Sequence, residues 1–201
     1  MRKKLLLLPM IPSLLLTACQ GGGAADGEQT ADEAARLVRT EYLAAAGCAG
    51  TVEVTADYGA RVYAFTLDFT WRREGESTLT VTAPEELAGL TARIADGEGR
   101  LEFDGVSLGT GDLTGEGLTP MELLPTVMEY VGGGYMAECV FETLEEQDAL
   151  RVFFRNPEAQ AGSGTECVLW FDCGTHALLR CELSWNGAMV LSGAFTEFAL
   201  T

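Results

Sequence analysis

Lysine is missing after Lys4, and the basic side chains beyond that point are all arginines, scattered from Arg36 to Arg180 with only Arg72 and Arg73 adjacent. A chain without a basic patch cannot neutralise a run of phosphates, which excludes nucleic acid as a partner. Histidine occurs once, at His176, so any Ser-His-Asp or Cys-His arrangement would have to pass through that residue. Its place at the turn of a predicted hairpin reads as that of a solvated turn residue. Long apolar runs are missing too. Leu5 to Leu16 is interrupted by Pro9 and Pro12 and falls short of the about 20 residues that a membrane helix needs. No carboxylate pair has glycosidase or metal-ligand spacing, and Asp96-Gly97-Glu98-Gly99 is too short for a calcium loop. No glycine-rich phosphate loop follows a strand and opens a helix. These absences leave no positive case for an enzyme and imply no cofactor and no metal.

The N-terminus is where the chain is most explicit. Arg2, Lys3 and Lys4 precede the apolar stretch, and Leu16-Thr17-Ala18-Cys19 closes it. This order resembles a bacterial lipoprotein signal, whose lipobox cysteine is acylated and becomes the mature N-terminus. The resemblance implies a signal peptide over residues 1–18 and a lipid-anchored protein of the cell membrane, facing outside the cytoplasm. Residues 19–30, rich in glycine and alanine, read as a flexible tether, and residues 31–201 as one domain. Removing residues 1–18 takes away three of the 13 basic residues and none of the 30 acidic ones, leaving ten against thirty and a net charge of −20. Such a body is repelled by an anionic leaflet, so membrane attachment falls to the acyl chains on Cys19.

Residues 31–46 have helical spacing, with Ala34, Leu37, Val38 and Leu43 on one side. Thr30 and Glu33 form a capping box at the start, and Gly47 supplies a stop. The period then changes to two: Tyr63, Phe65, Leu67, Phe69 and Trp71 alternate with Ala64, Thr66, Asp68 and Thr70. Similar alternation around Val52, Leu79 and Leu90, and from Leu101 past Gly105, predicts an antiparallel meander. Thr119-Pro120-Met121-Glu122 announces a second helix running to about Val131, with Gly132-Gly133-Gly134 ending it. Five further strands follow, the last two joined at Asn186-Gly187. The prediction is an α+β fold: a highly curved antiparallel sheet, or incomplete β-barrel, of about eleven strands, with an N-terminal helix and a central helical lid.

That order of lipobox, tether, helix, meander, Thr-Pro-led helix and closing hairpins resembles the LolA/LolB-like lipoprotein-carrier fold, shared with mycobacterial lipoproteins of the LppX type. The resemblance implies an apolar cavity that holds a lipid, an acyl chain or a lipopeptide. The candidate ligand-binding residues are Tyr63, Phe65, Phe69, Trp71, Phe103, Leu124 and Met128. Inward aromatic faces either line a cavity or fill a core, and periodicity does not separate the two. The alternative function is an interaction module of the same fold that holds an envelope or germination enzyme as its protein partner.

Lipidation of Cys19 leaves five cysteines, an odd number outside the cytoplasm. A three-residue loop, Cys173 to Thr175, would pair Asp172 with His176 and set Cys167 opposite Cys181 on the inward face. Those two are either a cross-strand disulfide or two small buried hydrophobes. Cys48 with Cys139 is a second pairing. Cys167, Cys173, His176 and Cys181 do not match zinc spacing, because the turn separates two of them from the rest.

Overall fold

A computed structural model of the chain describes residues 29–112 and 119–201. The expected signal peptide, Cys19 and nearly all of the expected tether lie outside the described residues. The elements run α1 (Ala31–Ala44), β1 (Gly47–Asp57), β2 (Val62–Arg72), β3 (Ser77–Ala83), β4 (Thr91–Ala95), β5 (Glu98–Phe103) and β6 (Val106–Asp112). Then come α2 (Leu123–Gly133), β7 (Met136–Leu144), β8 (Gln147–Phe154), β9 (Thr165–Asp172), β10 (Leu178–Trp185) and β11 (Ala188–Leu200). The strands make one eleven-stranded antiparallel sheet in the order β6-β5-β4-β3-β2-β1-β11-β10-β9-β8-β7. It is two meanders, each preceded by a helix and joined where β1 pairs with β11. The open sheet with two helices is the architecture expected from the alternation.

The start of α1 is set by its capping box: the Glu33 amide donates to Thr30 Oγ1 at 3.3 Å, and the Thr30 amide donates to Glu33 Oε2 at 3.0 Å. Its end corrects two expectations. The helix stops at Ala44 with an extended Ala45, and Gly47 opens β1 instead of capping α1. A side chain at Gly47 would collide with the Trp71 carbonyl across the β1–β2 pair, so its role is close strand approach. The buried face is Ala34, Ala35, Val38 and Tyr42, while Leu37 and Leu43 stand 43% and 46% exposed.

Helix α2 begins three residues later than its Thr-Pro signal suggests. Thr119 to Glu122 form a turn, closed by the Glu122 amide on the Thr119 carbonyl at 3.0 Å. Pro125 explains the delay. A helix starting at Pro120 would need an amide hydrogen at Pro125, whereas starting at Leu123 puts the proline in the first turn, where amides have no intrahelical acceptor. The helix buries Leu123, Leu124, Thr126, Val127, Met128 and Val131. Its seat over the sheet depends on Gly193, where an added Cβ would stand 2.9 Å from Cys181 Sγ and 3.1 Å from both Leu123 Cδ2 and Val52 Cγ2.

The register of β9 and β10 differs from the expected one by two residues. Cys167 pairs with Leu183 and Cys181 with Leu169. The turn is longer than three residues, since the Asp172 amide donates to the Ala177 carbonyl at 2.9 Å, and an irregularity between Leu178 and Arg180 adds the second residue. Cys167 and Cys181 are therefore buried, diagonal neighbours with free thiols. Cys48 and Cys139 are free as well, the first in the central strand and the second on the edge strand β7.

Candidate functional site

The inner face of the first meander is built by strand parity. Leu67 pairs with Val81, Phe69 with Leu79, Leu79 with Ala92, and Ala92 with Leu101, so each apolar side chain stands beside the next across the sheet. The body of α2 lies over the other half, with Leu123 against Gly193 and the Tyr130 hydroxyl donating to the Thr165 carbonyl at 3.2 Å. Its approach, Thr119 to Met121, reaches the first meander. Between that approach and the sheet is a pocket of about 190 Å³, lined by Phe65, Leu67, Leu79, Val81, Leu90, Ala92, Leu101, Thr119, Pro120 and Met121. Thr119 is the one polar side chain among these.

The apolar surface continues beyond the pocket. Leu101 pairs with Leu108 and Phe103 with Val106, which places Phe103, Val106 and Leu108 on the same face as the pocket wall. They are 43%, 70% and 65% exposed. The opposite face of this arm is polar, where Arg93 joins Glu76 and Glu102 at 2.7 Å each and Arg100 reaches Glu102 at 3.0 Å. At the other rim, Phe65 stacks on Tyr63 with ring centroids 6.3 Å apart, and Tyr58 stands against Tyr63. Burial, then the nearby Glu122 carboxylate and Tyr63, push the Tyr58 hydroxyl above its ordinary pKa. Glu122 is buried, and its Oε2 accepts the Thr119 hydroxyl at 2.6 Å.

The seven candidate ligand residues separate into four places. Phe65 lines the pocket, and Tyr63 stands at its rim. Phe69, Leu124 and Met128 are buried in the core, Phe69 edge-on to Phe195 with centroids 5.8 Å apart. Trp71 lies under the Arg73 guanidinium, and Phe103 stands on the open arm. Sequence reasoning missed Leu67, Val81, Leu90, Ala92 and Leu101 as a group; the available signal was their shared parity once the strand pairing is drawn.

His176 does occupy a turn, with φ of 57°, but it is not a solvated residue. Its ring Nδ1 is 2.7 Å from Glu41 Oε2, and its carbonyl accepts the Tyr42 hydroxyl at 2.9 Å. It docks α1 onto the β9–β10 turn. Four of the thiols are poor nucleophiles, because burial raises Cys48 and Cys181 to about 12 and Cys139 to about 11, and takes Cys167 well above its ordinary value. The site as built offers apolar surface, one buried carboxylate and two tyrosines.

Solved structures share the fold. An uncharacterised conserved protein from Thermus thermophilus matches with a TM-score of 0.50 at 14% identity, over 86% of this chain and 88% of its own. A LolA superfamily protein from Nitrosomonas europaea matches at 0.46 and 10% identity, over 86% and 94%. The Mycobacterium tuberculosis lipoprotein LppX matches at 0.46 and 11% identity, over 82% and 93%. At these identities the likeness is one of fold alone. No family model and no curated protein matches the sequence.

Proposed function

We propose that this chain is a membrane-anchored extracytoplasmic lipoprotein whose inner sheet face binds a lipid or acyl chain. The observation that carries the reading is the apolar pocket between Thr119–Met121 and strands β2 to β5. Its volume of about 190 Å³ is small beside the roughly 300–1,000 Å³ of sites that enclose whole ligands. It suits the end of an apolar chain whose remainder follows Leu101 and Leu108 along the open arm. Burying that exposed strip under the ligand supplies the driving force, at about 25 cal/mol for each Å² of apolar surface covered. Nothing in the reading calls for a catalytic residue.

Residues 29–201, purified and examined by native mass spectrometry with lipid extraction, should carry or take up lipid. Leu101→Glu should cut uptake by about tenfold or more, since an ionised carboxylate in an apolar pocket is strongly disfavoured. A folded protein that stays ligand-free under saturating lipid would sink the reading.

A second reading, an interaction module for an envelope protein, is favoured by one feature. The edge strand β6 carries no charged side chain from Val106 to Thr110, whereas the opposite edge β7 carries Glu138 and Glu142. Uncharged edges accept added strands. Crosslinking from the anchored protein at Ser107 should then capture one stoichiometric protein through β6, a capture that Leu108→Lys abolishes.

A further inference from the structure

Across the inner face of the first meander, one row of directly paired side chains runs Phe69, Leu79, Ala92, Leu101, Leu108. Ala92 is the one small side chain in that row. Two residues away on either side along the chain, and so on the same face, stand Leu90 and Ile94. A single methyl group is thus framed by four branched side chains. In a close-packed core such a gap is filled by a side chain from the layer above. Here the layer above is the approach to α2, and between it and Ala92 the space is open: Ala92, Leu79, Leu90 and Leu101 line the pocket from below, with Thr119, Pro120 and Met121 opposite them.

The frame limits what can enter. Leu79 and Leu101 sit on strands two spacings apart, so their backbones are separated by about 10 Å, and both side chains project from the same face. What remains over Ala92 is the width of one side chain. A straight polymethylene end fits that width, whereas two chains side by side or a ring-ended tail do not. Thr119 is the one polar side chain of the lining, so the part of the ligand that is enclosed is apolar to its end. The head group stays outside, on the open side past Leu101, where Leu108 is 65% exposed.

We propose that Ala92 is the specificity-determining residue of the pocket, forming a socket for the end of one unbranched acyl chain that enters tail first, so that the ligand class is an amphiphile seated by a single straight chain. This rests on the acyl-chain reading of the pocket and narrows it.

The test is calorimetric titration of the full chain with two probes of one head group and one carbon count, below their micellar concentrations: decyl maltoside and 4-cyclohexylbutyl maltoside. Decyl maltoside should bind with one molecule per protein and about tenfold more tightly than the ring-ended probe. Ala92→Gly lowers the floor by a methyl group and should bring that ratio to about threefold or less. Ala92→Leu fills the socket and should weaken decyl maltoside by about tenfold or more, with circular dichroism and thermal unfolding reporting that each variant is folded. Should Ala92→Leu fail to fold, the ratio in the unmutated protein and in Ala92→Gly decides. A ratio below about twofold in the unmutated protein, two probes bound per protein, a ratio that Ala92→Gly leaves unchanged, or a folded Ala92→Leu that binds decyl maltoside as before overturns the socket and leaves the acyl pocket standing. Failure of both probes to bind the unmutated protein overturns both.

Discussion

Asp172 closes the β9–β10 turn by gathering its donors on one carboxylate. Oδ1 accepts the Gly174 amide at 3.0 Å, the Thr175 amide at 2.5 Å and the Thr175 hydroxyl at 2.7 Å, and Oδ2 accepts Gln147 at 2.6 Å. These bonds, those of the Thr175 and Gln147 side chains first, lower its pKa from 3.8 to about 2. The folded value is depressed, so the bonds stabilise fully above the unfolded pKa and are lost as pH falls from about 4 towards 2. Screening at this turn discounts the effect to about 1 kcal/mol. Asp172→Asn should therefore lower stability at pH 7 and converge on the unmutated protein near pH 2, measured by urea unfolding across that range. A gap of equal size at both ends would contradict the assignment. The neighbouring His176 shows why single residues were the least legible part of the chain. Its turn position could be read locally, but its partner Glu41 is 135 residues away in sequence.

Elements were more legible than their edges. Alternation located the strands, and the Thr30 capping box placed the start of α1, because these are local signals. Register was lost where it depends on irregularity: nothing in Ala177-Leu178-Leu179 announces the shift that separates Cys167 from Cys181. The pocket was half legible for a related reason. Parity picked Tyr63 and Phe65, but that same parity also selected Phe69, which other chain segments bury. Helix termination was hidden too, since α1 has no basic residue in its last turn and borrows one from elsewhere. Arg73 donates to the Tyr42 carbonyl at 2.8 Å, and Arg39 of α1 donates to the Val131 carbonyl at 2.7 Å at the end of α2. Arg39→Met keeps most of the stem and removes these charged donors, so denaturant unfolding should show a loss of about 2–3 kcal/mol. Two glycines of this region predict opposite signs. Gly193→Ala forces Leu123 and Val52 apart and should cost about 1–3 kcal/mol. Gly132→Ala, whose Cβ meets only Leu43 Cδ2 at 3.6 Å, should stabilise α2 by about 0.5–1 kcal/mol. Equal effects would mean that α2 does not owe its seat to the missing side chain at Gly193.

At the scale of the whole molecule, charge and apolar surface act against each other. The apolar strip from Phe65 to Leu108 would favour a bilayer interface, yet it belongs to a body on which acidic side chains far outnumber arginines. An anionic leaflet repels that charge over about 8 Å at physiological salt, a range longer than a contact between the strip and acyl chains. The domain should then stay off the membrane unless it is tethered, leaving the inner face open to a single ligand. Residues 29–201 should fail to co-sediment with vesicles containing about 30% phosphatidylserine at about 0.15 M salt. They should begin to associate as salt is raised and the repulsion is screened, the reverse of a basic protein. Binding at low salt that weakens with added salt would show that the acidic surface does not govern the approach. If Cys19 carries the proposed acyl anchor, Cys19→Ser should in cells move the chain out of the lipid-anchored membrane fraction.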